Sequence, residues 1–319
     1  MKAIYLTEHF KHAEEIRFEL TERPIPEIKK GECLVHMHAS GVNPSDALGA
    51  IGYFPHAVLP RIPGRDFAGV IVDGPTRHLG KKVWGCGGAT GLDYDGFHAE
   101  FLVIPESSVV EIPANLSLLE AGVQTLPFIT AYYSLQTRAQ IKEGDRVLVI
   151  GALGQIGQAA MTICQWKRCL PTALVKDEAQ LTQARNLGWE ASDTLAGLKQ
   201  FDVILNTIGN IHWNELLARL NKFGRMAILA APEGKRDVSL DLFSLYRGNQ
   251  EILGIHTIDL GFETNATMLS ELKIGFATGS LTPLAVDPET VFPLERADEA
   301  YRTALLNCHG RRIVLENES

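Results

Sequence analysis

The chain is poor in several features that would each have fixed its class. Its five cysteines (Cys33, Cys86, Cys164, Cys169, Cys308) are scattered and form no CxxC pair. An odd count without metal-ligand spacing fits reduced thiols in a cytosol. No apolar run approaches the roughly 20 residues that span a bilayer. The opening MKAIYLTEHF has no signal-peptide apolar core and reads as a first strand. Positive charge is in deficit: 30 Lys and Arg stand against 38 Asp and Glu, a net −8, which argues against a general nucleic-acid binder. There is no repeat and no low-complexity segment. What is there is the composition of a soluble globular protein, 45% hydrophobic and 21% charged. At 319 residues the chain is long for one core, so two domains are expected.

The stretch Asp145 to Ala160, DRVLVIGALGQIGQAA, organises the reading. Val147 to Ile150 is an apolar run long enough for a buried strand. Gly151, Gly154 and Gly157 follow at three-residue spacing, and a helix-like run begins at Gln158. Strand, glycine turn and helix make the first half of a dinucleotide-binding βαβ unit. Small residues let the backbone approach a pyrophosphate, and the helix N-terminus offers N–H groups and a positive dipole end. Ala152 replaces the usual first glycine, so a search for GxGxxG misses the phrase. An ordinary glycine turn in an α/β sheet is the alternative.

Up to about Pro113 the sequence alternates short strands and turns. Met1–Leu6, Ile16–Leu20, Glu32–Ala39, Ala68–Val72 and Glu100–Ile104 read as strands, punctuated by Pro24, Pro26, Pro60 and Pro63. His36 and His38 share one strand face, either as metal ligands or as polar residues on an outer face, and no third ligand sits nearby. From about Leu118 to Ile258 strands and helices alternate. Thr172–Val175, Val203–Asn206, Met226–Ala230 and Ile252–Thr257 are the strands, and Glu178–Leu187, Trp213–Leu220 and Leu240–Gly248 the helices. This implies a parallel, doubly wound sheet with ligands at the carboxyl ends of its strands. Met268–Thr278 and Leu294–Asn307 read as helices and Arg311–Leu315 as a last strand.

Together with the glycine turn, the phrases GVNPSD (Gly41–Asp46), PGRDFAG (Pro63–Gly69), GFHAEFLVIP (Gly96–Pro105), AGVQTLPFITAYYSL (Ala121–Leu135) and ADEAYRTALLNCHGRRIVLE (Ala297–Glu316) resemble the medium-chain dehydrogenase/reductase superfamily over nearly the whole chain. The resemblance implies an α/β fold of two parts. One is a GroES-like β-rich catalytic domain, 1–117 and 259–319. The other is a Rossmann doubly wound parallel-sheet cofactor domain, 118–258. Zinc alcohol dehydrogenases of this superfamily carry Cys, His and Glu in the first two phrases, where this chain has Asn43, Arg65 and Asp66. Asn43 is a poor zinc ligand and Arg65 brings a positive charge, while zinc wants about four N, S or O ligands. The closely spaced cysteines of a structural zinc lobe are absent too. The pattern is similar to the zinc-free, quinone-oxidoreductase-like branch.

Without a metal to stabilise an alkoxide, the better substrate delocalises the charge itself, as quinones and α,β-unsaturated carbonyls do. The resemblance then gives Asn43 and the Ser45 hydroxyl the role of positioning the carbonyl or the nicotinamide. Tyr53 is either a hydrogen-bond or proton donor or a loop aromatic. Leu48 stands where some relatives have a tyrosine, and Asp46 reads as a capping residue. Arg65 and Asp66 pair with each other or with neighbours.

The cofactor expected is NADPH. Val175 stands where NAD enzymes place an acid, and Lys176 follows to meet a 2′-phosphate, or else is a solvated lysine. Asp177 blurs the signal, and Gln180 replaces a further lysine of relatives. The pyrophosphate contacts are Gly151, Ala152, Gly154, Gln155, Ile156 and Gly157. Asn206 replaces the usual acid of the next strand end, and Thr207, Ile208 and Gly209 border the ribose and nicotinamide. Ala230 and Ala231, Thr130, the backbone around His256 and an arginine, Arg311 or Arg312, complete the cofactor set. The function expected is zinc-independent, NADPH-dependent hydride transfer to a small-molecule quinone or enone, in a cytoplasmic homodimer paired through the sheet edge at Ile252–Thr257, with no nucleic-acid or membrane partner. Enoyl-thioester reduction, or a non-catalytic NADPH-binding sensor or structural protein, are the alternatives.

Overall fold

A computed structural model describes residues 1–230, 236–306 and 310–317. The chain divides into two units, Met1–Ile129 with Ile258–Ser319, and Thr130–Thr257. In chain order, the first unit opens with strands β1 (Lys2–Tyr5), β2 (Glu19–Glu22) and β3 (Glu32–Val42). Helix α1 (Pro44–Ala50), strands β4 (Asp66–Asp73), β5 (Lys82–Cys86), β6 (Phe101–Pro105) and β7 (Val110–Glu111), and helix α2 (Leu118–Ala121) follow, and α3 (Thr125–Tyr132) begins in the first unit and ends in the second. The second unit holds β8 (Arg146–Ile150), α4 (Gln155–Trp166), β9 (Leu170–Leu174), α5 (Glu178–Asn186), β10 (Glu190–Ser192), β11 (Phe201–Asn206), α6 (Trp213–Ala218), β12 (Leu220–Ile228), α7 (Leu242–Gly248) and β13 (Glu251–Gly254). The return to the first unit supplies α8 (Phe262–Ala277), β14 (Val291–Pro293), α9 (Ala297–Leu306) and β15 (Ile313–Glu316).

The first unit is built on β3, the longest strand. It pairs antiparallel with β4, β6 and β15 and so sits inside the order β14-β15-β3-β4-β5-β7. Cys33, Val35 and Met37 of β3 are buried in a core with Phe67, Ile71, Phe97, Leu102 and Tyr301. His36 and His38 lie on the half-exposed side, where His36 Nε2 meets Asn317 Nδ2 at 3.2 Å and His38 Nε2 meets Glu316 at 3.5 Å. They are polar residues of an outer face.

The boundary falls at Thr130 rather than at Leu118 because residues 118–129 are tied to the first unit. The Gln124 amide donates to the Leu284 carbonyl at 3.0 Å and accepts from the Leu284 N–H at 2.9 Å. Phe128 packs edge-on against Phe276 at 4.8 Å.

The second unit is a wholly parallel six-stranded sheet in the order β10-β9-β8-β11-β12-β13. Counted within the unit, this is the order 3-2-1-4-5-6 of a dinucleotide-binding sheet. Val147, Leu148 and Val149 of β8 have no exposed surface, which is why the strand reads as an unbroken apolar run. Four short strands escape the sequence reading: β5, β7, β10 and β14. In β5 the cause is Gly85, which breaks the alternation because a Cβ there would strike the Phe67 ring.

Candidate nucleotide and carbonyl sites

In the second unit the strand order reverses between β8 and β11, and the glycine turn sits at that point. Gly151 has φ +73°, and a Cβ on it would collide with the Thr207 hydroxyl. Gly154 is the N-cap of α4 with φ −71° and ψ 164° and no side chain of its own to satisfy the first N–H groups. Helix α4 starts at Gln155, three residues earlier than the sequence suggests, so Gln155, Ile156 and Gly157 form its first turn. A Cβ on Gly157 would run into the Gly151 carbonyl and lie 2.7 Å from Ala152 Cα. That glycine lets the helix close onto the turn. Ala152, in place of the usual first glycine, is fully buried.

The neighbouring strand ends are shaped by side-chain turns. Asn206, fully buried at the end of β11, accepts from the N–H groups of Ile208 and Gly209, both at 3.0 Å, and donates to the Gly209 carbonyl at 2.6 Å. A carboxylate would accept both bonds and make no third, so the amide replacing the usual acid closes this loop more completely. Thr207 Oγ1 donates to the Ile150 carbonyl at 2.7 Å and pins the loop beside the glycine turn. Ile208 is 40% exposed.

At the end of β9, Val175 is buried and Lys176 exposed. Asp177 is the N-cap of α5 and accepts from the Gln180 N–H at 2.9 Å. The acid that blurred the reading is therefore engaged by its own helix. Lys176 Nζ lies 3.6 Å from Asp177, with both side chains in solvent. Thr130 is buried in α3 and its carbonyl accepts from Ser134 Oγ. Ala230 follows β12, and Ala231 lies outside the described residues. Strand β13 ends at Gly254, leaving Ile255, His256 and Thr257 in the loop beyond it, with His256 exposed. β13 is the edge of its sheet.

In the first unit the sequence reading of Asn43 needs correction. It is 3% exposed, and its amide is engaged on every side. Nδ2 donates to Asp66 at 2.8 Å and to Asp46 at 3.0 Å, while Oδ1 accepts from Arg312 at 3.1 Å. With both N–H groups and the oxygen already paired, it has no hydrogen left to position a substrate carbonyl. Asp46 caps α1 as expected, accepting from the Asn43 N–H at 2.8 Å.

Asp66 pairs with Arg312 at 3.4 Å, both side chains fully buried, and not with Arg65. Burial pushes the Asp66 carboxyl up to about 6, against the pull of Arg312. Arg312 is thus a core residue, and Arg311 is paired with Asp287 at 3.1 Å. Arg65 is 3% exposed and donates to the Gly88 carbonyl at 3.1 Å and to Ser45 Oγ at 3.3 Å. Tyr53 is 40% exposed and stacks edge-on against Phe54.

Two participants were not singled out in the sequence. His98, inside the quoted phrase GFHAEF, is fully buried, and burial holds its pKa below the usual imidazole value. Its Nε2 faces the Gly41 carbonyl at 3.3 Å and so carries the proton; Nδ1 then accepts from the Tyr301 hydroxyl at 2.8 Å. The pair ties α9 to the strand that delivers Asn43. Nothing local to either residue announces a partner 203 positions away. A separate groove of about 940 Å³, lined by Leu119, Val286, Val291, Glu120 and Glu316 among others, contains none of these residues.

Residues 29–114 match the family model of the alcohol dehydrogenase GroES-like domain. A zinc-type alcohol dehydrogenase-like protein of Schizosaccharomyces pombe is 32% identical over 300 residues, 93% of this chain and 91% of the relative. The chain belongs to the medium-chain dehydrogenase/reductase superfamily. Human quinone oxidoreductase is 26% identical over 314 residues, covering 92% of this chain and 91% of its own. The crystal structure of an alcohol dehydrogenase superfamily protein from Novosphingobium aromaticivorans superposes with a TM-score of 0.85 over the whole of both chains, at 27% identity. The fold is that of this superfamily, a GroES-like sheet domain with a parallel-sheet Rossmann domain, as the sequence implied.

The first of these relatives carries zinc in its name, and this chain's residues do not suit the metal. The Asn43 amide is saturated, and Arg65 and Arg312 bring two guanidinium groups to the same phrases. Among the described residues no three of His, Cys, Asp and Glu are grouped to hold a metal ion. The four described cysteines are free and buried, and burial lifts the Cys86 thiol to about 12.

Proposed function

We propose that this oxidoreductase is a zinc-independent reductase that uses NADPH to reduce a quinone or an α,β-unsaturated carbonyl. The observation that carries the reading is the Gly151–Gly157 turn at the reversal of a 3-2-1-4-5-6 parallel sheet. The similarity to quinone oxidoreductase over the chain's length supports the substrate class.

The fit of the cofactor rests on this chain's own backbone. The turn is closed by glycines that a Cβ would disrupt, so the main chain is free to approach a diphosphate, and the first turn of α4 presents N–H groups to it. Lys176 meets the 2′-phosphate. Asp177, held as a helix cap, does not compete for the ribose hydroxyl. The Thr207–Gly209 loop, fixed by Asn206, with Thr130, Ala230 and the backbone at Ile255–Thr257, borders the ribose and nicotinamide. When bound, the reduced nicotinamide supplies a hydride. The protein orients the conjugated carbonyl and donates a hydrogen bond to its oxygen through Ser45. Tyr53 covers the substrate. Edge strand β13 pairs with its copy to make a homodimer.

The test is turnover of purified protein with NADPH against a panel of quinones, enones and simple ketones. Quinones or enones should be reduced with no loss on exhaustive chelation, and simple ketones should not. A protein inactive on every quinone and enone, or inactivated by chelator, contradicts the reading. Light scattering giving a one-chain mass contradicts the dimer.

A further inference from the structure

Three arginines of the first unit are buried, and their surroundings differ. Arg61, 1% exposed, donates to the carbonyls of Gly91, Val58 and Gly49 at 2.7, 2.9 and 3.2 Å. It staples a loop. Arg312, 1% exposed, has the Asp66 carboxylate and the Asn43 amide. Arg65, 3% exposed, has one carbonyl, Gly88, and one hydroxyl, Ser45. Among the described residues no carboxylate lies within 4.0 Å of its guanidinium. A guanidinium cannot shed its charge, and a buried charge without a counter-ion is costly. The thiol in its field, Cys86, stays protonated and supplies no anion. The fold thus keeps beside Ser45 a buried cation with no ion-pair partner within 4.0 Å among the described residues.

Of this pair Ser45 is the more exposed, a half-buried residue beside the buried Arg65. Arg65 donates to the Ser45 oxygen, so the serine proton is free to point at another acceptor. A hydroxyl that accepts from a cation becomes a stronger donor in turn.

We propose that Ser45 and Arg65 form an oxyanion-stabilising pair for a conjugated carbonyl, Ser45 touching the oxygen and Arg65 polarising Ser45 from behind. This deepens the reductase reading and rests on it. A hydride with its electron pair joins the β-carbon of the enone. The C=C pair shifts to form the enolate double bond, and the carbonyl π pair moves onto oxygen, with oxidised nicotinamide as co-product. Ser45 keeps its proton and shares it with the new oxyanion. The proton that completes the product at the α-carbon comes from water. Ser45 is the catalytic residue and Arg65 a positioning residue.

The probe is 4-nitrophenol, whose phenolate mimics the oxyanion and absorbs differently from the phenol. It is titrated into wild type, Ser45→Ala, Arg65→Lys, Arg65→Met and the Ser45→Ala/Arg65→Met double variant, with and without NADP⁺, below the probe's own pKa. Wild type should bind the phenolate form. Ser45→Ala and Arg65→Met should each weaken this binding about tenfold, as expected for a charge-assisted hydrogen bond. Arg65→Lys should keep most of it, and the double variant should be no worse than Arg65→Met. In turnover the same variants should lose kcat and leave KM for NADPH unchanged. Phenolate binding that is equal in wild type and Ser45→Ala, additive losses in the double variant, or no phenolate binding by wild type overturns the pair. Ser45→Ala is a half-buried truncation that should leave the fold intact, which a thermal melt checks. A wild type that binds the phenolate yet reduces no quinone or enone keeps the pair and discards the reductase reading.

Discussion

The glycine turn after β8 and the cluster around Asn43 achieve precision by opposite means. The turn is backbone: three glycines and a helix start within Gly151–Gly157, at the reversal of the sheet order. The cluster is side chain: Asn43, Asp46, Asp66 and Arg312 interlock around one amide, and the arginine arrives from 269 positions away. The first leaves main-chain groups for a ligand. The second leaves none, since every polar atom of Asn43 is answered within the protein. What the two loops share is a fixed floor, and what differs is where the ligand-facing atoms lie. In the turn they belong to the backbone itself, and in the first unit the proposed pair puts them two residues along, at Ser45.

The comparison can be broken from either side. The largest effect should come from Arg312→Met, which strands the Asp66 carboxyl in a fully buried site. Removing one partner of a buried pair costs about 3–5 kcal/mol, so chemical denaturation should show the first unit losing much of its stability. Adding Asp66→Asn should restore part of it. Gly157→Val comes next. Its side chain must displace the Gly151 carbonyl, and overpacking of this kind costs about 1–3 kcal/mol. The same variant should abolish nucleotide binding by fluorescence titration while leaving the first unit folded.

A pH effect of intermediate size follows from Asp66. Its folded value, about 6, lies above the ordinary carboxylate value, so between about pH 4 and 6 the folded protein holds a proton that the unfolded chain releases. Stability should therefore fall as pH rises through that window, by up to roughly 3 kcal/mol. Denaturation series for wild type and Asp66→Asn should differ in this slope, with the variant flatter. The smallest effect belongs to Lys176→Ala. An exposed lysine on a phosphate is worth about 1 kcal/mol, so the preference for NADPH over NADH should shrink several-fold with little change toward NADH.

The same contrast explains what the sequence let us read. The cofactor unit was legible because its signals are local: the apolar β8, the glycine spacing and the alternation of strand and helix. Its errors are local as well, such as a helix start placed at Gln158 when Gly154 itself is the cap. The roles of Asn206 and Asp177 were hidden because each depends on which backbone N–H its side chain meets. In the first unit the strand ladder was partly legible, yet the chemistry of its polar residues was not. That Asn43 is saturated, that Asp66 answers Arg312, and that Arg65 answers Ser45 depend on pairings between segments far apart in the chain. No periodicity encodes such pairings.

The central claim is that a reduced pyridine nucleotide binds at the Gly151–Gly157 turn, and calorimetric titration tests it most directly. Wild type should bind NADPH saturably with one site per chain and more tightly than NADH. Gly157→Val should bind neither. Absence of heat with both nucleotides for wild type, or equal binding by Gly157→Val, would contradict the account.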